Sequence, residues 1–591
     1  MNHLRLRSPS TLRMTREAIM ARATLRPPME PLSHREWWRG SALYQVYVRS
    51  FRDASGDGIG DLRGVIEKLD YIQSLGVDGF WLSPINPSPQ TDFGYDVSDL
   101  RSIDPVHGDL NDFGELVDGA HARGLKILMD FIPCHTSQEH PWFVESRSSR
   151  DNPKADWYIW ADARRDGSPP NNWLSSFGGP AWTWDPRRAQ YYYHPFLTSQ
   201  PALNLQNPET LTEMTEAMRY WLERGVDGFR LDAIQCLACD PDLRDNPPES
   251  SLGPVAPLGG GAHNPFRLQA HLYDRDVPQA FPIIEKMRRA VADFEPERAL
   301  IGELADVDSA RMSEKYTVEG MGLHAVYDFS LINGPRDVAP FTDILTYRSS
   351  YLRTGWLMNV FSNHDSKRAV SDLTAFATEA GKREEAAKLL FFMQFALKGG
   401  GILFQGEELG LPHPHLEYED LRDPWGKAFW PDFEGRDGAR TPMPWDGERP
   451  HCGFTEGDEP WLTVPEEHRA LSVAAQDAEQ DSPLNFLRRF LAWRADQPLL
   501  KWGGEYLHPP QLAPLIAWDR FGQGRTLTCI ANFSLSEQLF PVGDLPQAQP
   551  APGFDFPGEP SAAGLRLPPL GFAALAWDGE PEQRHGLEDM G

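Results

Sequence analysis

Eight short apolar runs separated by amphipathic stretches constrain this chain more than any other feature. They lie at Ala42–Val48, Val77–Leu82, Leu125–Ile132, Val226–Leu231, Ala299–Ile301, Ala325–Phe329, Trp356–Phe361 and Gly401–Phe404. Several follow a helix-like segment that ends in glycine, as in Tyr71–Gly76 and Met218–Gly225, which is the signal of a helix C-cap. Strands alternating with helices imply βα units around a parallel sheet, and eight of them imply an α/β fold of the (β/α)8 TIM-barrel type.

Two intervals are too long for a plain βα connection. Residues 134–204 are rich in Trp, Pro, Gly and Asn and read as an insert domain after strand 3. The interval Cys239–Phe281, which contains Gly259–Gly261, reads as a long loop able to fold over the barrel mouth. From about Leu500 the pattern turns to β-type runs such as Thr526–Phe533 and Gly571–Trp577, so residues 501–591 read as a C-terminal all-β sandwich. The barrel then takes residues 36–133 and 205–500. Residues 1–35 read as a flexible extension, because they lack the apolar core of a secretory signal.

Charge and cysteine usage exclude several function classes. The chain has 85 acidic and 57 basic residues, a net charge of −28. That balance argues against a nucleic-acid partner, which needs clustered Lys and Arg, and against anionic membranes. No run approaches the roughly 18 apolar residues of a membrane span. Five cysteines (Cys134, Cys236, Cys239, Cys452 and Cys529) make no disulfide framework, and Cys236–Cys239 is a CxxC without a second pair. The expectation is a cytoplasmic protein, monomer or homodimer. Its 19 Trp suit a large core or a sugar-stacking pocket.

Polar residues cluster just after the apolar runs, at the strand ends that carry the active site in a barrel. Asp130 and His135 follow the third run, the fourth ends in Gly228-Phe229-Arg230-Leu231-Asp232, the fifth in Glu303 and the seventh in Asn363-His364-Asp365. Three carboxylates, two His and one Arg would share one mouth. Retaining glycoside hydrolysis needs such a set: one carboxylate as nucleophile and one carboxylic acid as proton donor, roughly 5–5.5 Å apart. Arg230, two residues before Asp232 on a strand, would point to the same side and hold that acid ionised.

These segments, with Trp37-Trp38-Arg39-Gly40, Tyr44-Gln45-Val46-Tyr47, Phe93-Gly94-Tyr95-Asp96, His135-Thr136-Ser137, Gln405-Gly406-Glu407-Glu408 and Arg440-Thr441-Pro442-Met443 in order, resemble the α-amylase family of glycoside hydrolases, family 13. The resemblance runs from about Trp37 onward and is nearest to the bacterial α-glucosidase and oligo-1,6-glucosidase branch. It implies Asp232 as nucleophile, Glu303 as general acid/base and Asp365 as transition-state stabiliser. It implies a shell of Asp92, Tyr95, His135, Arg230, His364 and Arg440 around a terminal glucose, with Asp92 and Arg440 paired to close one end of an exo-acting pocket. The substrate would be a small α-glucoside.

The loop Asp53-Ala54-Ser55-Gly56-Asp57-Gly58-Ile59-Gly60-Asp61 places side-chain oxygens at positions 1, 3, 5 and 9 and the Ile59 carbonyl at 7. This matches the start of an EF-hand loop, although position 12 is Gly64 rather than Glu. The resemblance implies a structural Ca2+ here, with Mg2+ as the alternative, on Asp53, Ser55, Asp57, Ile59 and Asp61. Ser55 stands where Asn is more usual. Cys134 replaces the Asn that often helps bind calcium in true α-amylases, so that second calcium site is not expected. Ala202 occupies a position where Asp is frequent in the oligo-1,6-glucosidase group. Ala233 follows the nucleophile, where relatives with Val tend to cleave α-1,6 bonds and those with Ala or Thr α-1,4 bonds. The reading is a retaining exo-α-glucosidase preferring short α-1,4 substrates such as maltose, with transglucosylation favoured by a covered pocket. A trehalose synthase or sucrose isomerase type of mutase, and an oligo-1,6-glucosidase, are the alternatives.

Overall fold

The structure is a computed structural model that describes residues 25–26, 36–249, 263–305, 308–318, 321–332, 338–508, 512–542 and 548–581. All eight expected strands are present: β1 (Ala42–Val46), β2 (Gly79–Leu82), β3 (Lys126–Phe131), β4 (Gly228–Leu231), β5 (Ala299–Leu304), β6 (Ala325–Asp328), β7 (Met358–Asn359) and β8 (Gly400–Phe404). They form one parallel sheet in the order β6-β5-β4-β3-β2-β1-β8-β7. A parallel bridge from Val326 to Leu357 joins its two edges and closes the barrel.

The pleat sorts the side chains by parity. Leu43, Trp81, Leu128, Ile301, Tyr327 and Ile402 meet in one inner cluster, while their chain neighbours Tyr44, Phe80, Leu82, Ile127, Met129, Leu300, Val326 and Leu403 join the outer core beneath the helices. This is the period-two alternation of a barrel strand. The residues in step with the inner set, one layer further along, are Asp130, Arg230 and Glu303. The polar mouth is thus the next layer of the same stack.

Two strands depart from their expected limits. β5 runs to Leu304, so Glu303 sits inside it, paired with Tyr327 of β6, rather than just after it. β7 has only two residues, because Trp356–Leu357 makes a single bridge and the chain beyond turns inward through buried Ser362, Asn363 and His364. The helices Leu69–Ser74 and Pro208–Leu222 stop near Gly76 and Gly225, whose φ values of 80° and 96° permit the reversal.

Residues 134–204 carry a three-stranded antiparallel sheet (Trp160–Ala161, Gln190–Tyr193 and Trp182–Asp185) packed around Trp173, Trp182 and Tyr193. The described flanks of the interval after β4 dock on it: Gln269 Nε2 donates to Asn172 O at 2.6 Å and Asn264 Nδ2 to Ser176 O at 2.8 Å. The centre of that interval, 250–262, lies outside the described residues.

The C-terminal part is a sandwich of a six-stranded and a three-stranded antiparallel sheet around Leu515, Ile530, Leu565 and Leu575. The larger sheet packs its other face on the barrel, where Trp518 Nε1 donates to Ala396 O at 3.0 Å. Of the first 35 residues only Leu25–Arg26 is described, as a short strand antiparallel to Tyr506 and Glu505; the rest of the expected extension lies outside the described residues. Among the described residues no helix is long and apolar enough to cross a membrane.

Candidate active site

The register of β3, β4 and β5 brings the acids together. Arg230 lies opposite Asp130 across one strand pair and opposite Ile301 across the other, two residues short of Glu303. Its guanidinium is buried and serves three carboxylates. Nη1 meets Asp130 Oδ1 at 2.8 Å and Asp232 Oδ1 at 2.6 Å, and Nη2 meets Glu303 Oε1 at 2.6 Å. Tyr327 Oη accepts from Nε and Nη2 and donates to Glu303 Oε1. The Ala233 N–H donates to Glu303 Oε2 at 3.1 Å from a left-handed backbone (φ 45°, ψ 51°). That conformation is uncommon for a non-glycine residue and is over-represented at functional sites.

One positive charge cannot keep three buried acids ionised. Burial, the largest influence, raises Glu303; Arg230 opposes it, and the charges of Asp232 and Asp365 add to it, leaving the group at about 8. Burial also raises Asp232, which Arg230 holds down at about 6. The two acids therefore separate: near neutral pH one is a carboxylate and the other a carboxylic acid. Asp365 goes the other way. Burial opposes its ionisation, but His364 and the guanidinium groups of Arg436 and Arg440 outweigh burial and hold it well below the usual carboxylate range.

A buried relay fixes the wall behind these acids. His364 Nδ1 accepts from Gln45 Nε2 at 2.8 Å, which leaves Nε2 to face the Tyr95 hydroxyl at 2.6 Å; that hydroxyl donates to Asp130 Oδ2 at 2.9 Å. Tyr95 stacks on His364 with ring centroids 5.3 Å apart. His135 Nε2 donates to Tyr95 O at 2.9 Å, and burial keeps this imidazole neutral, at about 4.

The cleft over the acids encloses about 570 Å³ counted to its open mouth, within the range of small-molecule sites. Asp232, Glu303, Asp365, Asp92, Tyr95 and His135 line it. Arg230, His364 and Arg440 do not: they are buried behind the lining and act by orienting it. The expected Asp92–Arg440 pair is absent. Arg440 Nη2 instead binds Asp365 Oδ1 at 2.6 Å, and Arg436 Nη2 takes Asp92 Oδ1 at 2.7 Å. Arg436 stands four residues before Arg440, and Asp423 anchors it at 2.8 Å and 3.0 Å.

Sequence reasoning missed Arg436, Gln200, Tyr327 and the aromatic wall of Phe177, Phe196, Phe329 and Trp425. Phe177 of the insert domain stacks on Trp425, from the segment after β8, at 4.5 Å. No local motif marks such a contact, because its partners lie 248 positions apart.

The loop at residues 53–61 is a separate, oxygen-only site. Asp53 accepts from the Gly56 and Gly58 N–H groups and from Ser55 and Thr455 hydroxyls; Asp57 accepts from Ile59 N and Asp61 from Ala54, Ser55 and Gly64 N. Gly58 (φ 89°) is required: a Cβ there would lie 2.2 Å from Glu459 O. The three acids do not converge to within 4.8 Å of one another. Opposed oxygens stand roughly 5 Å apart around Ca2+ and roughly 4 Å apart around Mg2+, so the loop fits the larger ion.

Comparison with known proteins agrees with this geometry. A family model described as "Alpha amylase, catalytic domain" matches residues 45–503. A Rhizobium meliloti (strain 1021) protein described as "Probable alpha-glucosidase" is 44% identical over 550 residues, 92% of this chain and 98% of the relative. An oligo-1,6-glucosidase of Heyndrickxia coagulans is 36% identical, covering 86% of this chain and 94% of that one. Among solved structures, the α-glucosyl transfer enzyme XgtA superposes with a TM-score of 0.86 at 42% identity, over 92% of this chain and 99% of that one. A trehalulose synthase, MutB, superposes at 0.81 and 31% identity, over 92% and 100%.

Arg436 gives this subsection its test. Replacing it with Met would leave Asp92, Asp423 and Asp365 without their shared cation. The expected cost is about 3–5 kcal/mol, read as a lowered thermal melting temperature, and a second change, Asp423→Asn, should recover part of it. A single variant as stable as the parent would show that the cation is not needed there.

Proposed function

The chain belongs to the α-amylase family of glycoside hydrolases, and from that premise we propose that it is a retaining, exo-acting α-glucosidase of short α-1,4-linked substrates such as maltose. The observation that carries the reading is the single guanidinium of Arg230, which touches both Asp232 and Glu303 at 2.6 Å while their pKa values separate. Acids bridged by one planar group stand close enough for covalent attack from one and proton delivery from the other.

In this reading the Asp232 carboxylate attacks the anomeric carbon as the glycosidic C–O bond breaks, and Glu303 gives its proton to the leaving oxygen. Glu303, now ionised, takes a proton from water or an alcohol, whose oxygen attacks the same carbon and frees Asp232. Asp92 and Asp365 accept hydroxyls of the terminal sugar, and the Asp92–Arg436 pair closes that end. The leaving group meets Phe177, Trp425, Phe329 and Ala233, a largely apolar wall suited to sugar faces and alcohol acceptors. That wall supports transglucosylation, and the small Ala233 side chain supports the α-1,4 preference. The structural likeness to MutB favours a second reading, a disaccharide isomerase, which would return a rearranged disaccharide in place of free glucose. The loop at residues 53–61 holds a structural Ca2+ through Asp53, Ser55, Asp57, Asp61 and the Ile59 carbonyl; its contribution is to brace the chain leaving β1 against residues 454–461.

Product analysis on maltose, isomaltose, sucrose and maltotriose decides between these. Maltose should release glucose as the α-anomer by NMR, and Asp232→Asn should lose at least about a thousandfold in kcat/KM. A β-anomer product, or a clear isomaltose preference, would overturn the proposal. The pH profile of kcat/KM should be a bell that rises through about 6 as Asp232 ionises and falls through about 8 as Glu303 loses its proton. Asp130→Asn removes a negative neighbour and leaves Arg230 a smaller load, so the acid limb should move to lower pH. For the loop, chelation should lower the melting temperature by a few degrees with Ca2+ restoring it, and Asp57→Ala should abolish the response.

A further inference from the structure

Cys134 is unused in the chemistry above, yet it lies against it. One donor atom each of Cys134, His135 and Asp232 falls within 4.8 Å of the others, all three residues are buried, and among the described residues no other three His, Cys, Asp or Glu side chains meet this way. Cys134 Sγ is 3.2 Å from His135 Nδ1. His135 Nε2 is committed to the Tyr95 carbonyl at 2.9 Å, which fixes the tautomer and leaves the Nδ1 lone pair turned to the sulfur. A metal-bound histidine has this second-shell arrangement, its distal N–H held by a carbonyl. Arg230 Nη1 binds Asp232 through Oδ1, so Oδ2 is not engaged by that guanidinium.

Thiolate, imidazole and carboxylate are the donor types of Zn2+, whose tetrahedral bonds of about 2.0–2.3 Å place donor atoms roughly 3.3–3.7 Å apart. The Cys134–His135 separation is already near that value, and the third donor needs a shift of about 1 Å. Three protein donors leave one position open, toward the cleft. The hard-oxygen loop at residues 53–61 differs in every respect: it holds no sulfur or nitrogen donor and lies outside the catalytic cleft.

We propose that Cys134, His135 and Asp232 form an inhibitory site for Zn2+ and chemically similar thiophilic divalent cations. Binding exchanges the Cys134 thiol proton, released to solvent, for a metal–sulfur bond, and it engages the carboxylate that would otherwise attack the sugar. Zinc and substrate then exclude one another. The inhibition rests on Asp232 acting as nucleophile, whereas the coordination does not.

The test keeps those two parts apart. With Ca2+ in excess throughout, Co2+ added to the full-length protein without substrate should bind with one-to-one stoichiometry and give a near-ultraviolet thiolate-to-cobalt charge-transfer band. Cys134→Ser and Cys134→Ala should both lack the band, and Cys236→Ser, which changes a thiol in the same apolar cluster, should keep it. Zn2+ should inhibit competitively with maltose, and each Cys134 variant, normalised to its own uninhibited rate and checked for folding by thermal melting, should need at least tenfold more Zn2+. A band that persists in both Cys134 variants, or no band in the parent, overturns the site. A band with no loss of activity keeps the site and overturns the role given to Asp232.

Discussion

One guanidinium shared among three buried acids organises this molecule. Arg230 has no water to lean on, so its hydration must be replaced by Asp130, Asp232, Glu303 and the Tyr327 hydroxyl. Removing it would strand three carboxylates; removing one of them redistributes the charge among the rest. That coupling makes the acids chemically unequal although their strands are alike. Asp232, two residues along from the guanidinium, receives the larger share of its stabilisation, and Glu303 receives the smaller share together with the repulsion of two neighbours.

The barrel supplies the geometry by parity alone. Side chains alternate between the helical shell and the interior, so a polar residue two places beyond an inward apolar one must enter the mouth. Leu128 and Asp130, Ile301 and Glu303, and Arg230 and Asp232 are such steps. The eight strands and the catalytic acids were legible in the sequence for this reason: both are short-range patterns on one strand. The short β7 was not, because its apolar run serves inward packing after a single bridge, not a longer ladder.

What escaped the sequence is what long-range packing decides. The pairing of Asp92 was assigned to Arg440, four residues from the correct Arg436. Both arginines lie in one stretch, and only the anchoring of Arg436 by Asp423 turns it toward Asp92, leaving Arg440 for Asp365. Likewise His364, Arg230 and Arg440 carry the expected residue types but stand behind the lining, a distinction of depth that a linear pattern does not encode.

The Phe177–Trp425 stack has a consequence for how such a protein can change. The bond-breaking groups sit on barrel strands, but this aromatic contact is made by an insertion and a connecting segment, neither of which contributes to the strand ladder. Drift in those two segments can reshape the outer chamber, and with it the choice of aglycone, while the acid pair keeps its spacing. The scaffold separates what is cut from how it is cut, so divergence among its relatives can proceed one property at a time.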